Sequence, residues 1–539
     1  MVPLKYFALG FLILVTGNLI AQFSDEFNRY NQLFPDDDKI RINYQTDVDI
    51  EIVNNEIEIK MTTLEEELYL NASAGHYSEQ SIPFSTFYEL TDIEASSFSF
   101  QNDKYKQIKV KDFKTKDDIN GTAFYDDSKR VSFIYSNLHK GSKSTLLYKE
   151  TIKDPRLLKP FFFGYFSSVL SSSLVITADK NITMEFKEFN TENIDLSFTK
   201  KEKNGNIIYH WVAKNIDKYE SEDNSSNFRN YLPHIVPIIK SYNIKGKQVN
   251  LLNNVDGLYG WYYSLVKDVN KGKPNVELVK LVNSLTAGKE TEIEKVRSIY
   301  YWVQQNIKYV AFEYALGGFV PRKANDVFLK KYGDCKDNSS ILQQMFKIAG
   351  IKSYLTWIGT RDIPYTYGGV PTPSSANHMI ITYINDSLTY FLDATGRYHS
   401  LGLPTSFIQG KEALISIDAD NYEIKEVPVI IAENNFISDS INLEIEDATL
   451  SGKGIIYTNG YFKTTFFEML EHQESSTELD NFYNLNLGKG SNKFLIVDFN
   501  ETNKFDYDKD FIVDYSFNIN DYVLLAGDEM YVNLNLTKY

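Results

Sequence analysis

The sequence of 539 residues contains one cysteine, Cys335, and little proline or glycine, at 14 and 28 residues. A single thiol cannot form a disulfide within the chain, so no disulfide framework stabilises the protein. The same count excludes zinc sites that are built from several cysteines. The low proline and glycine content excludes the collagen-like and disordered classes of protein.

Positive charge is also scarce, since 56 Lys and Arg against 72 Asp and Glu give a net charge of −16. Because no long basic run is present either, we do not expect the protein to bind nucleic acid or anionic membranes by charge. No Gly-Lys-Ser/Thr loop is present, and Gly488-x-Gly490 lacks the third glycine of a nucleotide-binding loop. The aspartates around residues 418–420 and 506–510 lack the glycine of a calcium loop. We therefore predict no metal, cofactor, nucleotide or nucleic acid.

Long apolar runs are absent beyond the N-terminus, where Lys5 precedes an apolar run over residues 6–15 and Ala21 precedes polar sequence. This order is typical of a secretory signal peptide, which we assign to residues 1–21. The alternative is an uncleaved membrane anchor, but Asn18 interrupts the run and a bilayer span needs about 20 apolar residues. We expect an exported protein, periplasmic or secreted, with no transmembrane segment in the mature chain.

Apolar residues alternate with polar ones from about residue 40, for example around the turn Asn54-Asn55. A period of two predicts strands with one face in water. The turn around Asn204-Gly205 has the composition of a tight hairpin. We predict an antiparallel, sandwich-like β domain over residues 22–235.

Helical patterns then replace the alternation, and they predict a connector over residues 236–288 and a mixed core over residues 289–425. The connector is interrupted at Gly272, and Thr291 with Glu294 forms a capping box at the start of the core. Alternation returns after residue 426, which predicts a small all-β domain over residues 426–539. The expected fold is therefore a multidomain α+β protein.

Cys335 stands where loop sequence meets the start of a predicted helix, between charged residues Asp334 and Lys336. The positive end of a helix favours a thiolate over a thiol. A buried structural cysteine is the alternative interpretation. The charged flanks, and the retention of an unpaired thiol in an exported chain, favour a nucleophile.

A cysteine nucleophile needs a base, and His378 begins a predicted strand whose partner ends at Asp393. If Asn385 and Asp386 form the turn, His378 lies directly opposite Asp393, with Cβ atoms about 4.5–5.5 Å apart. The carboxylate would then orient the imidazole and stabilise its cation. His399 is the alternative base, although it lacks an opposed carboxylate.

This order of cysteine, histidine and aspartate resembles the transglutaminase-like superfamily, which has a papain-like fold. Three segments carry the resemblance: Tyr332-Gly333-Asp334-Cys335-Lys336-Asp337, Asn377-His378 and Leu392-Asp393-Ala394-Thr395. Residues 309–313 and 317–319 are similar to a bacterial exported subgroup, in which a β domain of unknown function precedes the core and a smaller one follows it. The resemblance covers about residues 290–415 and implies Cys335, His378 and Asp393 as catalytic residues. The backbone N–H of Cys335 is the expected oxyanion donor, and Trp302 and Gln304 are candidates for the second.

Such a triad transfers an acyl group from an amide to water, as in a peptidase or amidase, or to an amine, as in a transglutaminase. We expect protein or peptide substrates, including a cell-envelope component. The alternative is a catalytically idle scaffold that acts in envelope binding or assembly. A third possibility is sugar binding by the aromatic-rich N-terminal domain.

Overall fold

The computed structural model describes residues 23–118, 123–126, 128–313 and 318–537. The expected signal peptide, residues 1–21, lies outside these ranges. The N-terminal elements are α1 (Asp25–Leu33), β1 (Lys39–Val53), β2 (Glu56–Tyr69), β3 (Glu79–Phe84), β4 (Tyr88–Gln101), β5 (Lys104–Lys109), β6 (Lys114–Asp117), β7 (Ala123–Asp126), β8 (Lys129–Ile134), β9 (Lys143–Ile152), β10 (Phe161–Phe162), β11 (Val169–Asp179), β12 (Ile182–Phe189), β13 (Asp195–Lys203), β14 (Asn206–Ile216), β15 (His234–Ile244) and β16 (Lys247–Asn250).

The N-terminal domain is a β-sandwich built on an eight-stranded sheet with the order β13-β14-β11-β1-β2-β9-β4-β5. The sheet is antiparallel except where β1 runs parallel to β11. Alternate residues such as Val48 and Ile50 are buried on one face, while Asp49 between them is exposed. The smaller sheets β10-β15-β12 and β3-β8-β6 cover this apolar face.

Both expected hairpins are present. Val53 pairs with Glu56 across Asn54 and Asn55, which have φ values of 53° and 68°. Lys203 pairs with Asn206 across a similar turn, in which Asn204 and Gly205 also have positive φ values. Tight hairpin turns require this left-handed backbone, which asparagine and glycine adopt readily.

The boundary expected at residue 235 falls inside β15, so the start of the expected helical connector is strand instead. β15 pairs with β10 and β12, and its first six residues are all buried. Ile235 and Ile239 pack in the N-terminal core, whereas Val236 and Ile238 pack in the central core. A strand buried on both faces shows no alternation, so its sequence does not distinguish it from a helix.

The central domain packs helices against a five-stranded sheet with the order β22-β21-β20-β23-β24. One hydrophobic core joins this sheet to α2, α3, α4 and α6. Its elements are α2 (Val255–Val266), α3 (Val276–Thr286), α4 (Glu292–Asn306), β17 (Lys308–Tyr309), β18 (Ala311–Glu313), α5 (Ala324–Lys330), β19 (Tyr332–Gly333), α6 (Cys335–Ile348), β20 (Tyr354–Ile358), β21 (His378–Asn385), β22 (Leu388–Leu392), β23 (Glu412–Ser416) and β24 (Tyr422–Glu426).

The C-terminal domain contains two helices, so the prediction of an all-β domain is wrong in this respect. Its elements are β25 (Ile437–Glu446), β26 (Thr449–Thr458), α7 (Gly460–Leu470), α8 (Ser476–Asn486), β27 (Phe494–Thr502), β28 (Phe511–Ile519), β29 (Leu524–Ala526) and β30 (Glu529–Tyr531). The aromatic and β-branched residues of α7 have strand propensity, but burial of Phe466, Phe467 and Leu470 at helical spacing favours the helix.

No helix in the described part of the chain is both long enough and apolar enough to span a bilayer.

Candidate active site

Cys335 is the first residue of α6 because a pair of aspartates caps the helix there. The Asp334 carboxylate accepts hydrogen bonds from the backbone N–H groups of Lys336 and Asp337, at 3.0 and 3.2 Å. The Asp337 carboxylate in turn accepts from the backbone N–H of Asp334 at 3.1 Å. This reciprocal capping box fixes Cys335 at the positive end of the helix.

Arg322 holds the same capping box from the preceding loop. Its backbone N–H donates to Asp337 at 2.8 Å, and its guanidinium Nε and Nη2 donate to the same carboxylate at 2.9 and 2.6 Å. Gly333 makes this approach possible, since a Cβ atom there would lie 2.4 Å from Cβ of Asp337. Sequence reasoning did not identify Arg322, because nothing local connects it to a residue 15 positions later.

The structure brings His378 and Asp393 together, with His378 Nε2 and Asp393 Oδ2 2.8 Å apart. The expected turn is wrong by one residue: Asn385 pairs with Leu388, so Asp386 and Ser387 form the loop, and Asp386 has a φ of 51°. His378 is therefore diagonal to Asp393 rather than directly opposite. The face is preserved because the pairing shifts by an even number of residues, and the two side chains still meet.

Asp393 lies buried among hydrogen-bond donors. Its Oδ1 accepts from the backbone N–H and the hydroxyl of Thr395, at 3.1 and 2.6 Å. Its Oδ2 accepts from the Thr405 hydroxyl at 2.6 Å as well as from His378. Burial alone would raise the pKa of Asp393, but the charge of His378 and these hydrogen bonds hold it below its usual value. Thr405 carried no sequence signal, since it enters from a later loop.

The surroundings of His378 favour the cationic form of its ring. Burial alone would lower its pKa, but the charges of Asp393 and Cys335, and hydrogen bonds to both, raise it well above the ordinary value. Because Asp393 occupies Nε2, the nitrogen left for the Cys335 thiol is Nδ1. The edge of the Phe407 ring packs against the imidazole at a centroid distance of 5.2 Å.

Cys335 and His378 line one small cavity, of about 70 Å³, that opens to solvent. The other lining residues are Tyr262, Gly318, Phe319, Lys336, Trp357, Ala376, Asn377 and Met379. Tyr262 and Trp357 stack with ring centroids 4.8 Å apart and form an aromatic wall. The cavity gives a buried thiol a route to a substrate.

The alternative residues are engaged elsewhere. Gln304 exchanges two hydrogen bonds with the backbone of His399, at 2.9 and 3.0 Å, and does not line the cavity. The Trp302 ring lies under the ammonium group of Lys331 and does not line the cavity. Burial lowers the pKa of His399, whose Nδ1 bonds to a backbone oxygen. The expectation for Trp302 and Gln304 is therefore wrong, because both are packed outside the cavity.

Within the ranges that the structure describes, no group of three or more His, Cys, Asp or Glu side chains is arranged to hold a metal ion.

Two family models match parts of the chain. Residues 279–362 match the model of the transglutaminase-like superfamily. Residues 62–220 match the model of DUF3857, a domain of unknown function with a solved structure. The first match contains Cys335 and ends before His378, so the roles of His378 and Asp393 depend on the geometry. No curated protein matches the sequence.

The solved structures that match the chain include two described as proteases. A candidate protease from Parabacteroides distasonis has a TM-score of 0.56 at 12% sequence identity, covering 92% of this chain and 95% of that one. A candidate cysteine protease from Cytophaga hutchinsonii has a TM-score of 0.18 at 9% identity, covering 63% and 76%. The family match supports cysteine-dependent chemistry in general terms. The chain carries a domain of the transglutaminase-like superfamily, preceded by a DUF3857 domain.

Proposed function

We propose that this protein is an exported transglutaminase-like cysteine enzyme that acts on amide bonds of protein or peptide substrates. The observation that carries the proposal is the 2.8 Å bond between Asp393 and His378, whose other ring nitrogen is left for Cys335 at a capped helix start. All three side chains are buried, and Cys335 and His378 share a cavity.

The proposed reaction is acyl transfer by a thiolate at Cys335 and an imidazolium at His378. The thiolate of Cys335 attacks the amide carbonyl, and the backbone N–H of Cys335, which has no acceptor within the helix, donates to the oxyanion. The imidazolium of His378 then protonates the leaving amine, and a thioester remains on Cys335. His378, now neutral, accepts a proton from the incoming water or amine as the acyl group leaves. Asp393 holds the ring and stabilises its cation throughout.

Water as the acceptor gives a hydrolase, and a primary amine gives a transglutaminase. Both reactions use the same triad, so the proposal includes both. The mature protein would be incubated with glutamine-containing peptides and a labelled primary amine, and the products analysed by mass spectrometry. Incorporated amine would indicate transfer, and product acid alone would indicate hydrolysis.

Cys335→Ala is the control for this experiment, since it removes the nucleophile. Products that are formed equally by Cys335→Ala, or no product from a broad peptide panel, would contradict the proposal. The second result would favour a catalytically idle scaffold in the cell envelope.

Export is part of the proposal and depends on the sequence of residues 1–21. Expression of the full chain in a bacterium with a periplasm, followed by sequencing of the mature N-terminus, tests it. A mature protein beginning at Gln22 supports export and cleavage, and a cytoplasmic protein that keeps Met1 or begins at Val2 contradicts it.

A further inference from the structure

A second cavity continues the active-site cavity away from Cys335. It is open to solvent, has a volume of about 510 Å³ and shares Gly318, Phe319, Ala376 and Asn377 with the cavity that contains the thiol. We refer to this second cavity as the interdomain cleft. A ligand chain in the interdomain cleft would therefore have a continuous path to the nucleophile.

The walls of the interdomain cleft come from two domains. The central domain contributes Pro373 and Ser374, and the N-terminal domain contributes residues that include Phe87 and Tyr88. Phe319 joins the walls, because its ring packs against Phe87 at 5.9 Å and against Trp261 of α2 at 5.2 Å. The N-terminal domain is thus part of the approach to the site.

Two cations line the N-terminal wall, and they differ in their partners. Lys159 is paired with the buried carboxylate of Glu150 at 2.8 Å, so its charge is largely balanced. Arg229 is half-buried, and in the described ranges its side chain forms no ion pair with a carboxylate. Its nearest polar partner is the Asn227 side-chain oxygen at 3.4 Å.

We propose that the interdomain cleft binds the peptide substrate and that Arg229 binds a carboxylate of that peptide. A guanidinium presents paired N–H donors that match a carboxylate, and the rings of Phe87, Tyr88 and Phe319 offer the peptide an apolar surface in the same cleft. The substrate class is then acidic peptides, selected by the N-terminal domain and processed by the central one. This inference rests on the proposed function for turnover, whereas binding to the cleft is measurable without catalysis.

The test uses the mature chain with Cys335→Ala, which cannot form a thioester. Two fluorescein-labelled peptides serve as probes: one alternates alanine with glutamate, and its counterpart has glutamine at each glutamate. Fluorescence anisotropy at low salt, where charge interactions are least screened, gives both affinities. We expect the acidic peptide to bind about tenfold more tightly or better, as a hydrogen bond to a charged group implies.

Arg229→Gln should remove this preference, and Arg229→Lys should retain part of it. Arg29→Gln is the matched control, because Arg29 is exposed, forms no ion pair in the described residues and, like Arg229, lies over a neighbouring ring. Thermal melting checks that each variant is folded. Equal affinity for the two peptides, a preference that survives Arg229→Gln, or failure of both to bind would overturn the inference.

The two proposals fail separately in these experiments. If the acidic peptide binds but no Cys335-dependent product forms, the proposed function alone is contradicted. If Cys335-dependent products form but the preference for the acidic peptide does not depend on Arg229, only the proposed role of the cleft is contradicted.

Discussion

Asp393→Asn removes the charge of the triad carboxylate while keeping its shape. Both oxygens of Asp393 accept hydrogen bonds, from His378 and Thr405 on one side and from Thr395 on the other. An amide that turns its NH2 toward His378 must donate where the carboxylate accepted. The neutral imidazole then carries its proton on Nδ1, toward Cys335, and cannot accept the thiol proton. We expect turnover to fall by about 10⁴-fold, as in Ser-His-Asp triads with the equivalent change.

The same substitution should change stability in a pH-dependent way. In the wild type the pKa of His378 is raised and that of Asp393 is lowered, so the pair stabilises the fold fully between about pH 4 and pH 6.5, and less as pH rises through the raised pKa of His378. In the variant, burial without the carboxylate lowers the pKa of His378, so stability decreases as pH falls below about 6.5. Loss of one partner from a buried ion pair costs about 3–5 kcal/mol, and we expect that difference at about pH 5.

Urea unfolding followed by tryptophan fluorescence at about pH 5 and pH 8 measures this effect, since three of the four tryptophans, Trp261, Trp302 and Trp357, lie in the central domain. Asp362→Asn, at an exposed aspartate of the same domain, is the matched control. Wild-type turnover, or a stability difference between Asp393→Asn and wild type that is the same at both pH values, would refute the reasoning.

Two further predictions concern the helix start that holds Cys335. Arg322→Gln should lower the melting temperature and slow alkylation of Cys335, because the buried ion pair with Asp337, worth about 3–5 kcal/mol, is lost. Arg322→Lys should recover part of both effects. A melting temperature and an alkylation rate equal to those of wild type would contradict this prediction. Gly333→Ala should destabilise the protein by about 1–3 kcal/mol in the same unfolding assay, since the added Cβ would overlap Asp337. Gly272→Ala is the control and should be close to neutral, because its added Cβ meets open space. Equal effects of the two substitutions would show that the close approach of Gly333 to Asp337 is not required.

Sequence periodicity predicted well the elements that have one solvent-exposed face or a clear helix-capping motif. The capping box of Thr291 and Glu294 and the helix that begins at Cys335 are present as expected. β15 and α7 were missed for the opposite reason. β15 is buried on both faces, so its sequence shows no alternation. The exposed face of α7 carries the apolar residues Phe462 and Met469 while Lys463 is buried, so its sequence does not show the contrast between apolar and polar faces that marks a helix.

Some residues of the candidate site could be predicted from the sequence and others could not. His378 and Asp393 were identified because strand pairing depends on parity, and a turn displaced by one residue leaves both side chains on the same face. Arg322, Thr405 and Arg229 were not identified. Each enters from a loop or from another domain, and such tertiary contacts leave no local pattern in the sequence.

Alkylation of Cys335 by iodoacetamide at about pH 6 tests the central claim most directly, since the thiolate is the reactive form. Because Cys335 is the only cysteine, the modification needs no further assignment. The account predicts that the mature protein reacts about tenfold or more faster than free cysteine, which is almost entirely thiol at this pH. His378→Ala should remove the excess rate, and His399→Asn should retain it. Equal rates for wild type and His378→Ala would contradict the claim that His378 maintains a reactive thiolate at Cys335.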